Sequence, residues 1–253
     1  MITPEQQATK CPFQLGRLAF DVVNCEEELG RELAMFLPRS SAASADLIVD
    51  AQSSGLNSVL DVLNYVYKQH TGVMWLGGAS VVTPNGKKVL LFGRGHNGKS
   101  TTMLALAFGY NWKVVSEDIT LIDMESDEIL NFAAPFAVRI KTLDLLSELI
   151  PPEIISETGD NQWIALGPHN YGRNITALFD IVIYFDANLN FDSLRCTQMS
   201  GVDCLKALLP SSNLMKIPGA MSKIEQYLGE AAFYQFSAGT VQERVQALIE
   251  LVQ

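Results

Sequence analysis

The sequence predicts an α/β protein with a mixed sheet, and three observations carry that expectation. Between Val89 and Asp118 an apolar run, a glycine-rich loop, a helix former and a second apolar run follow one another, the order of a strand–loop–helix–strand unit. Just before it, Pro84-Asn85-Gly86 separates two apolar runs, and Asn-Gly in that setting is a strong hairpin signal. On either side, short β-like runs alternate with segments that place apolar residues at helical spacing. The character of the chain changes near Gly72, which divides a small N-terminal α/β region, 1–71, from a core at 72–253.

Taken in order, residues 13–23 alternate as a strand or hairpin, and an acidic helix follows over 26–37. The small polar residues of 38–46 read as a loop, Leu47 to Val49 as a short strand, and 58–68 as a helix whose Tyr65 and Tyr67 serve packing. Val73 to Thr83 and Lys87 to Phe92 form the Asn-Gly hairpin. Thr101 to Phe108 has an apolar helical face, and Lys113 to Ser116 is a strand that ends on Glu117-Asp118. Ile119 to Met124 and Glu128 to Ala133 make a second hairpin. The 135–141 segment is expected to be extended, and 143–150 a short helix stopped by Pro151-Pro152. Residues 153–173, polar and carrying Gly159, Gly167, Pro168 and Gly172, read as an irregular loop suited to an acceptor. Leu178 to Phe185 is a central strand, 194–199 another, Val202 to Leu209 a helix, and 232–236 and 241–252 a last strand and an amphipathic last helix.

Composition narrows the function classes. A chain of 253 residues, 48% hydrophobic and 18% charged, can bury a sizeable core, and no apolar run is long enough to span a bilayer, so no membrane partner is expected. The first residues lack the basic and apolar regions of a signal peptide, which makes the cytoplasm the expected compartment. Cys11, Cys25, Cys196 and Cys204 include no C-x-x-C pair and read as reduced thiols. A formal net charge of −10 with no basic stripe argues against nucleic acid as a partner. It leaves nucleotide binding open, which needs only local positive charge.

Gly93-Arg94-Gly95-His96-Asn97-Gly98-Lys99-Ser100 fits the phosphate-binding loop G-x-x-x-x-G-K-[ST] at every fixed position. A strand before it and a helix after it supply the context such a loop needs. Backbone amides at the helix start and the helix dipole attract phosphate oxygens. Nucleotide contacts are therefore expected from Gly93, Gly95, His96, Asn97, Gly98, Lys99, Ser100 and Thr101, with Lys99 on the terminal phosphates and the Ser100 hydroxyl on Mg²⁺. Glu117 and Asp118, on the strand after the loop helix, are placed to meet the same phosphates and metal; the plainer reading is a solvated pair at a strand end. His70 and His169 have no assignable partner, and His96 reads as a solvent-facing loop residue.

Gly77-Gly78-Ala79-Ser80-Val81, the Asn-Gly hairpin, residues 92–102, Gly109 and Val114 to Asp123 together resemble the HPr kinase/phosphorylase-related kinases, built on the P-loop core shared with phosphoenolpyruvate carboxykinases. The later segments 135–141, 180–185, 194–209 and 231–239 follow that group's pattern in order, so the likeness spans about 72–252. The resemblance implies transfer of a phosphoryl group from ATP, with Mg²⁺, to a hydroxyl, typically a serine of a protein or peptide, or a small molecule; similar compact kinases act on precursor peptides in natural-product pathways. It allows a homo-oligomer. By position the family's paired aspartates fall on Glu117 and Asp118, one the base toward the acceptor and the other a support for the metal, with Asp118 the match in residue type. Arg139 and Lys141 fall where the family places a basic residue that could hold the transferred group, and Arg173 is a weaker candidate for that task. Gly77 departs from the pattern, because the family carries a histidine there, which favours a plain kinase over a kinase/phosphorylase.

Two other readings compete. Asp186 ends an apolar run in the manner of the metal-supporting strand of ordinary P-loop ATPases. The chain would also fit a nucleotide-binding regulatory module that transfers nothing, with Glu117 as a mark of degeneracy.

Overall fold

A computed structural model describes residues 10–15, 18–37, 39–69, 72–95, 97–130, 135–158, 161–186 and 192–253, so His70 and His96 lie outside the described residues. The chain forms two units, Met1–Thr71 and Gly72–Gln253. In the first, β1 (Cys11–Leu15) pairs antiparallel with β2 (Leu18–Val23). The helix α1 (Glu27–Phe36) leads to β3 (Leu47–Asp50), which joins β2 in parallel, and α2 (Val59–Gln69) follows. Phe13, Phe20, Leu33 and Val62 are buried there.

The second unit opens with β4 (Val73–Leu76), β5 (Gly78–Val82), β6 (Lys88–Gly93), α3 (Lys99–Tyr110) and β7 (Lys113–Ser116). Its middle holds β8 (Thr120–Asp123), β9 (Glu128–Leu130), β10 (Phe136–Val138), α4 (Ile140–Leu146), β11 (Ile155–Thr158), β12 (Asn161–Ile164) and β13 (Ile175–Thr176). It closes with β14 (Ile181–Asp186), β15 (Arg195–Gln198), α5 (Gly201–Leu208), α6 (Ala220–Leu228), β16 (Ala232–Ser237) and α7 (Val241–Leu251).

A six-stranded mixed sheet, ordered β15-β16-β14-β6-β5-β7, organises this unit. Its middle strands β16, β14 and β6 run parallel, while β15 and β5 pair antiparallel with their neighbours. Successive side chains of a strand face opposite ways. Val89 and Leu91 of β6 accordingly pack with α3 and α7 on one face, and Leu90 and Phe92 with α5, α6 and the β13-β9-β8-β4 sheet on the other. Burial on both faces is what the unbroken apolar runs of β6 and β14 encode.

Local chemistry explains the agreements and the departures. Asn85-Gly86 turns between β5 and β6, with Gly86 at φ 86° and its amide donating to the Thr83 carbonyl at 2.9 Å. The expected strand 73–83 is two strands in different sheets, broken at Gly77. There the Gly77 amide donates to Ser211 O at 2.6 Å, and a Cβ would stand 2.7 Å from Ser211 Cβ. The expected extended stretch 135–141 is extended only to Val138, and the helix begins at Ile140, a turn before the expected Leu143. Arg139 precedes it without a side-chain cap, so no start signal is written there. Residues 153–173 are not an irregular loop: β11 and β12 pair with Thr158 opposite Asn161 and add to β10. Gly159-Asp160 between two alternating runs is the hairpin signal for that pairing. The far end of the second expected hairpin, 131–134, lies outside the described residues. Among the described residues no helix is long and apolar enough to cross a membrane.

Candidate functional site

Strand β6 lies between β14 and β5 and delivers the glycine-rich loop at its end. Gly93 has φ 134°, and a Cβ on it would stand 2.3 Å from the Phe185 carbonyl oxygen, so only glycine lets the strand end lie this close to β14. Gly98, at φ 80°, is the N-cap of α3 and offers no side-chain cap. The first amides of α3 thus face the loop without a capping side chain, and the helix dipole adds partial positive charge. Asn97 is buried and donates its Nδ2 to Phe185 O at 3.0 Å. Arg94 and Gly95 are exposed, and a Cβ at Gly95 would meet nothing within 4 Å. Lys99 folds back on the loop, its Nζ donating to the carbonyls of Gly93 and Arg94 at 3.0 Å each. Burial lowers its pKa, and the charges of Asp118 and Glu117 pull it back up.

The acids are aimed by an irregularity. In the antiparallel pair of β5 and β7, Ser80 faces Ser116 but Val81 faces Val114, so the register shifts between them. Such a bulge re-aims the residues beyond it. Behind it runs a buried hydroxyl chain: Ser80 Oγ lies 2.6 Å from Ser116 Oγ, which lies 2.8 Å from Thr120 Oγ1, which donates to Gly78 O at 2.9 Å. Beyond the bulge, Ser100 Oγ donates to Glu117 Oε1 at 2.7 Å. Desolvation first, and the charge of Asp118 second, push Glu117 up to about 7, against the Ser100 hydrogen bond and Lys99. Asp118 is exposed and stands at φ 61°. The Ile119 amide donates to Glu117 O at 2.6 Å, closing a three-residue turn centred on Asp118.

Arg139 and Lys141 flank the start of α4 and are exposed; Lys141 sits in the helix and not on an extended segment. Just after them Thr142 Oγ1 lies 3.3 Å from Thr101 Oγ1, which sets the start of α4 beside the start of α3. Arg173 and His169 are exposed. Asp186 ends β14, next to the loop strand, and its Oδ2 accepts from Gln235 Nε2 at 3.0 Å and Ser237 Oγ at 3.4 Å. Two further residues near the site stand outside the set expected from the sequence. Tyr171 bridges to Val114, and burial together with the Glu117 charge raises its hydroxyl to about 12. Arg244 of α7 donates from Nη1 to the Asn97 carbonyl at 2.9 Å.

Among the described residues no group of three His, Cys, Asp or Glu side chains could hold a metal alone. Ser100 Oγ and Glu117 Oε1, 2.7 Å apart, with Asp118 next in the chain, offer hard oxygens that could hold Mg²⁺ if phosphates completed its shell.

No protein-family model matches the chain, and no curated protein matches it in sequence. Among solved structures, the HPr(Ser) kinase/phosphatase from Coxiella burnetii aligns over 70% of this chain and 96% of its own length, at 12% identity and a TM-score of 0.28. A likeness of that degree does not assign a family or a fold.

Proposed function

We propose that this protein is an ATP- and Mg²⁺-dependent kinase that transfers the γ-phosphoryl group to an acceptor hydroxyl, a serine of a peptide or protein or a small-molecule alcohol. The observation that carries this reading is the hydrogen bond from Ser100, the loop hydroxyl, to Glu117, with exposed Asp118 next in the chain. A loop that binds phosphate and a pair of acids that binds metal and acceptor are the parts phosphoryl transfer needs.

Lys99 would exchange the carbonyls of Gly93 and Arg94 for phosphate oxygens, and the α3 amides would hold the rest of the polyphosphate. Ser100, supported by Glu117, would hold Mg²⁺, whose charge offsets that of the phosphates. Asp118 would accept the acceptor's proton as its oxygen bonds to the γ-phosphorus, while the bond from that phosphorus to the bridging oxygen breaks and ADP leaves. Arg139 and Lys141, set beside α3 through Thr142, would steady the transferred charge. Gly77 supports a kinase without a phosphorylase half-reaction, because Ser211 fills the space a side chain there would need.

The test is mass spectrometry of candidate acceptors after incubation with ATP and Mg²⁺. One added phosphate on a hydroxyl, lost in Lys99→Ala and in Asp118→Asn, is expected. Near-full activity in Asp118→Asn would remove Asp118 as the base. Bound ATP with no phosphorylated product would favour the regulatory module.

A further inference from the structure

Helix α7 turns Val245 and Leu248 inward, and Arg244 shares that buried stripe at 9% exposure. A guanidinium keeps its charge when buried, so acceptors must answer it. Nε donates to the Ala238 carbonyl at 3.0 Å, Nη1 to the Asn97 carbonyl at 2.9 Å, and the group lies over the Phe185 ring at 5.6 Å. Among the described residues no carboxylate forms a salt bridge with it, and neighbouring Glu243 is bonded to the Thr240 amide.

Two strained or crowded places converge on the same group. Ala238 stands at φ 61°, where residues with a Cβ are uncommon, and it is this residue's carbonyl that meets Nε. At Gly98, where φ 80° favours glycine, a Cβ would lie 2.2 Å from Nη1 and would displace the guanidinium.

We propose that Arg244 is a positioning residue that sets the 93–100 loop for phosphate, a role that rests on reading that loop as the nucleotide site. A trans peptide points its C=O and N–H in opposite directions. Holding the Asn97 carbonyl from below therefore turns the Gly98 amide away from Arg244 and leaves it free to donate to an anion. Asn97 is fixed at its other end by Phe185 O, so strand β14 and helix α7 hold one loop residue together.

The experiment compares wild type, Arg244→Ala and Arg244→Lys in ATP·Mg²⁺ affinity by calorimetry and in amide hydrogen exchange across the chain, with and without millimolar ethylguanidinium. Arg244→Ala is expected to weaken ATP binding about tenfold or more, the loss of a charged hydrogen bond. It should raise exchange at 94–100 with β6 and β14 unchanged, and ethylguanidinium should reverse both effects. Arg244→Lys should restore less, because an ammonium lacks the fork that reaches two carbonyls. Unchanged affinity and loop exchange, or faster exchange spread over α7 and the sheet without rescue, would overturn the proposal. Should the alanine variant fail to fold, Arg244→Lys is read by the same criteria. If wild type binds no ATP, the nucleotide reading falls on its own; loop exchange that ethylguanidinium reverses would still show Arg244 setting the loop.

Discussion

Glu117 and Asp118 are adjacent in the chain yet differ in surroundings: one is half-buried and hydrogen-bonded to Ser100, the other exposed on a left-handed turn. Environments that separate two acids assign them different work. Folding raises Glu117 from 4.5 to about 7, so the native chain keeps a proton that the unfolded chain releases between those values. The stability associated with it is full below about 4.5 and is lost as pH rises through about 7. Melting temperature should therefore fall more steeply from pH 5 to 7.5 in wild type than in Glu117→Gln, which has no such proton. Equal slopes would show that Glu117 is not held protonated. Asp118→Asn is a clean test of charge, because Asn tolerates the same φ as Asp. Its expected loss of transfer should come with a melting temperature near that of wild type.

The glycine-rich loop was readable in the sequence because strand, glycines, Lys99, Ser100 and helix are contiguous, and the Asn-Gly turn likewise writes its own geometry. Glycines in the loop nonetheless differ in what they do. Gly93→Ala combines a disallowed φ with a contact on Phe185 O and should cost about 3 kcal/mol in urea unfolding. Gly95→Ala, facing open space, should stay within about 0.5 kcal/mol. A cost at Gly95 equal to that at Gly93 would contradict this account. Elements without local punctuation were harder to read. Helix α4 starts after Arg139 with no cap side chain, and α6 opens after Gly219 with neither cap nor acidic first turn. Arg244 left one trace, a cation at the i+3 and i−4 positions of an apolar stripe (Val241, Leu248). Its partners Asn97 and Ala238 are fixed only by the fold, and so is the approach of Tyr171 to Glu117.

Every residue assigned a part in the site belongs to Gly72–Gln253. That unit by itself should bind ATP·Mg²⁺ with an affinity within about threefold of the whole chain, since it holds every residue the proposed reading assigns to nucleotide. A much larger loss, with the fragment folded by circular dichroism, would place a binding contribution in the first unit. The sheet order also carries a lesson about the alternatives: β14 does lie beside the loop strand, as a metal-supporting strand would, but the Asp186 carboxylate is engaged by Gln235 and Ser237 while Ser100 turns to Glu117.

The order of the strands has a consequence for biosynthesis. The loop is translated before residue 101, but the carbonyl it rests on belongs to Phe185 and the guanidinium beneath it to Arg244. A nascent chain therefore carries its glycine-rich loop long before it owns the partners that hold it. On the proposed nucleotide reading, both anchors of Asn97 are in place only once α7 has left the ribosome, so nucleotide would stabilise the finished unit and would not guide its early folding.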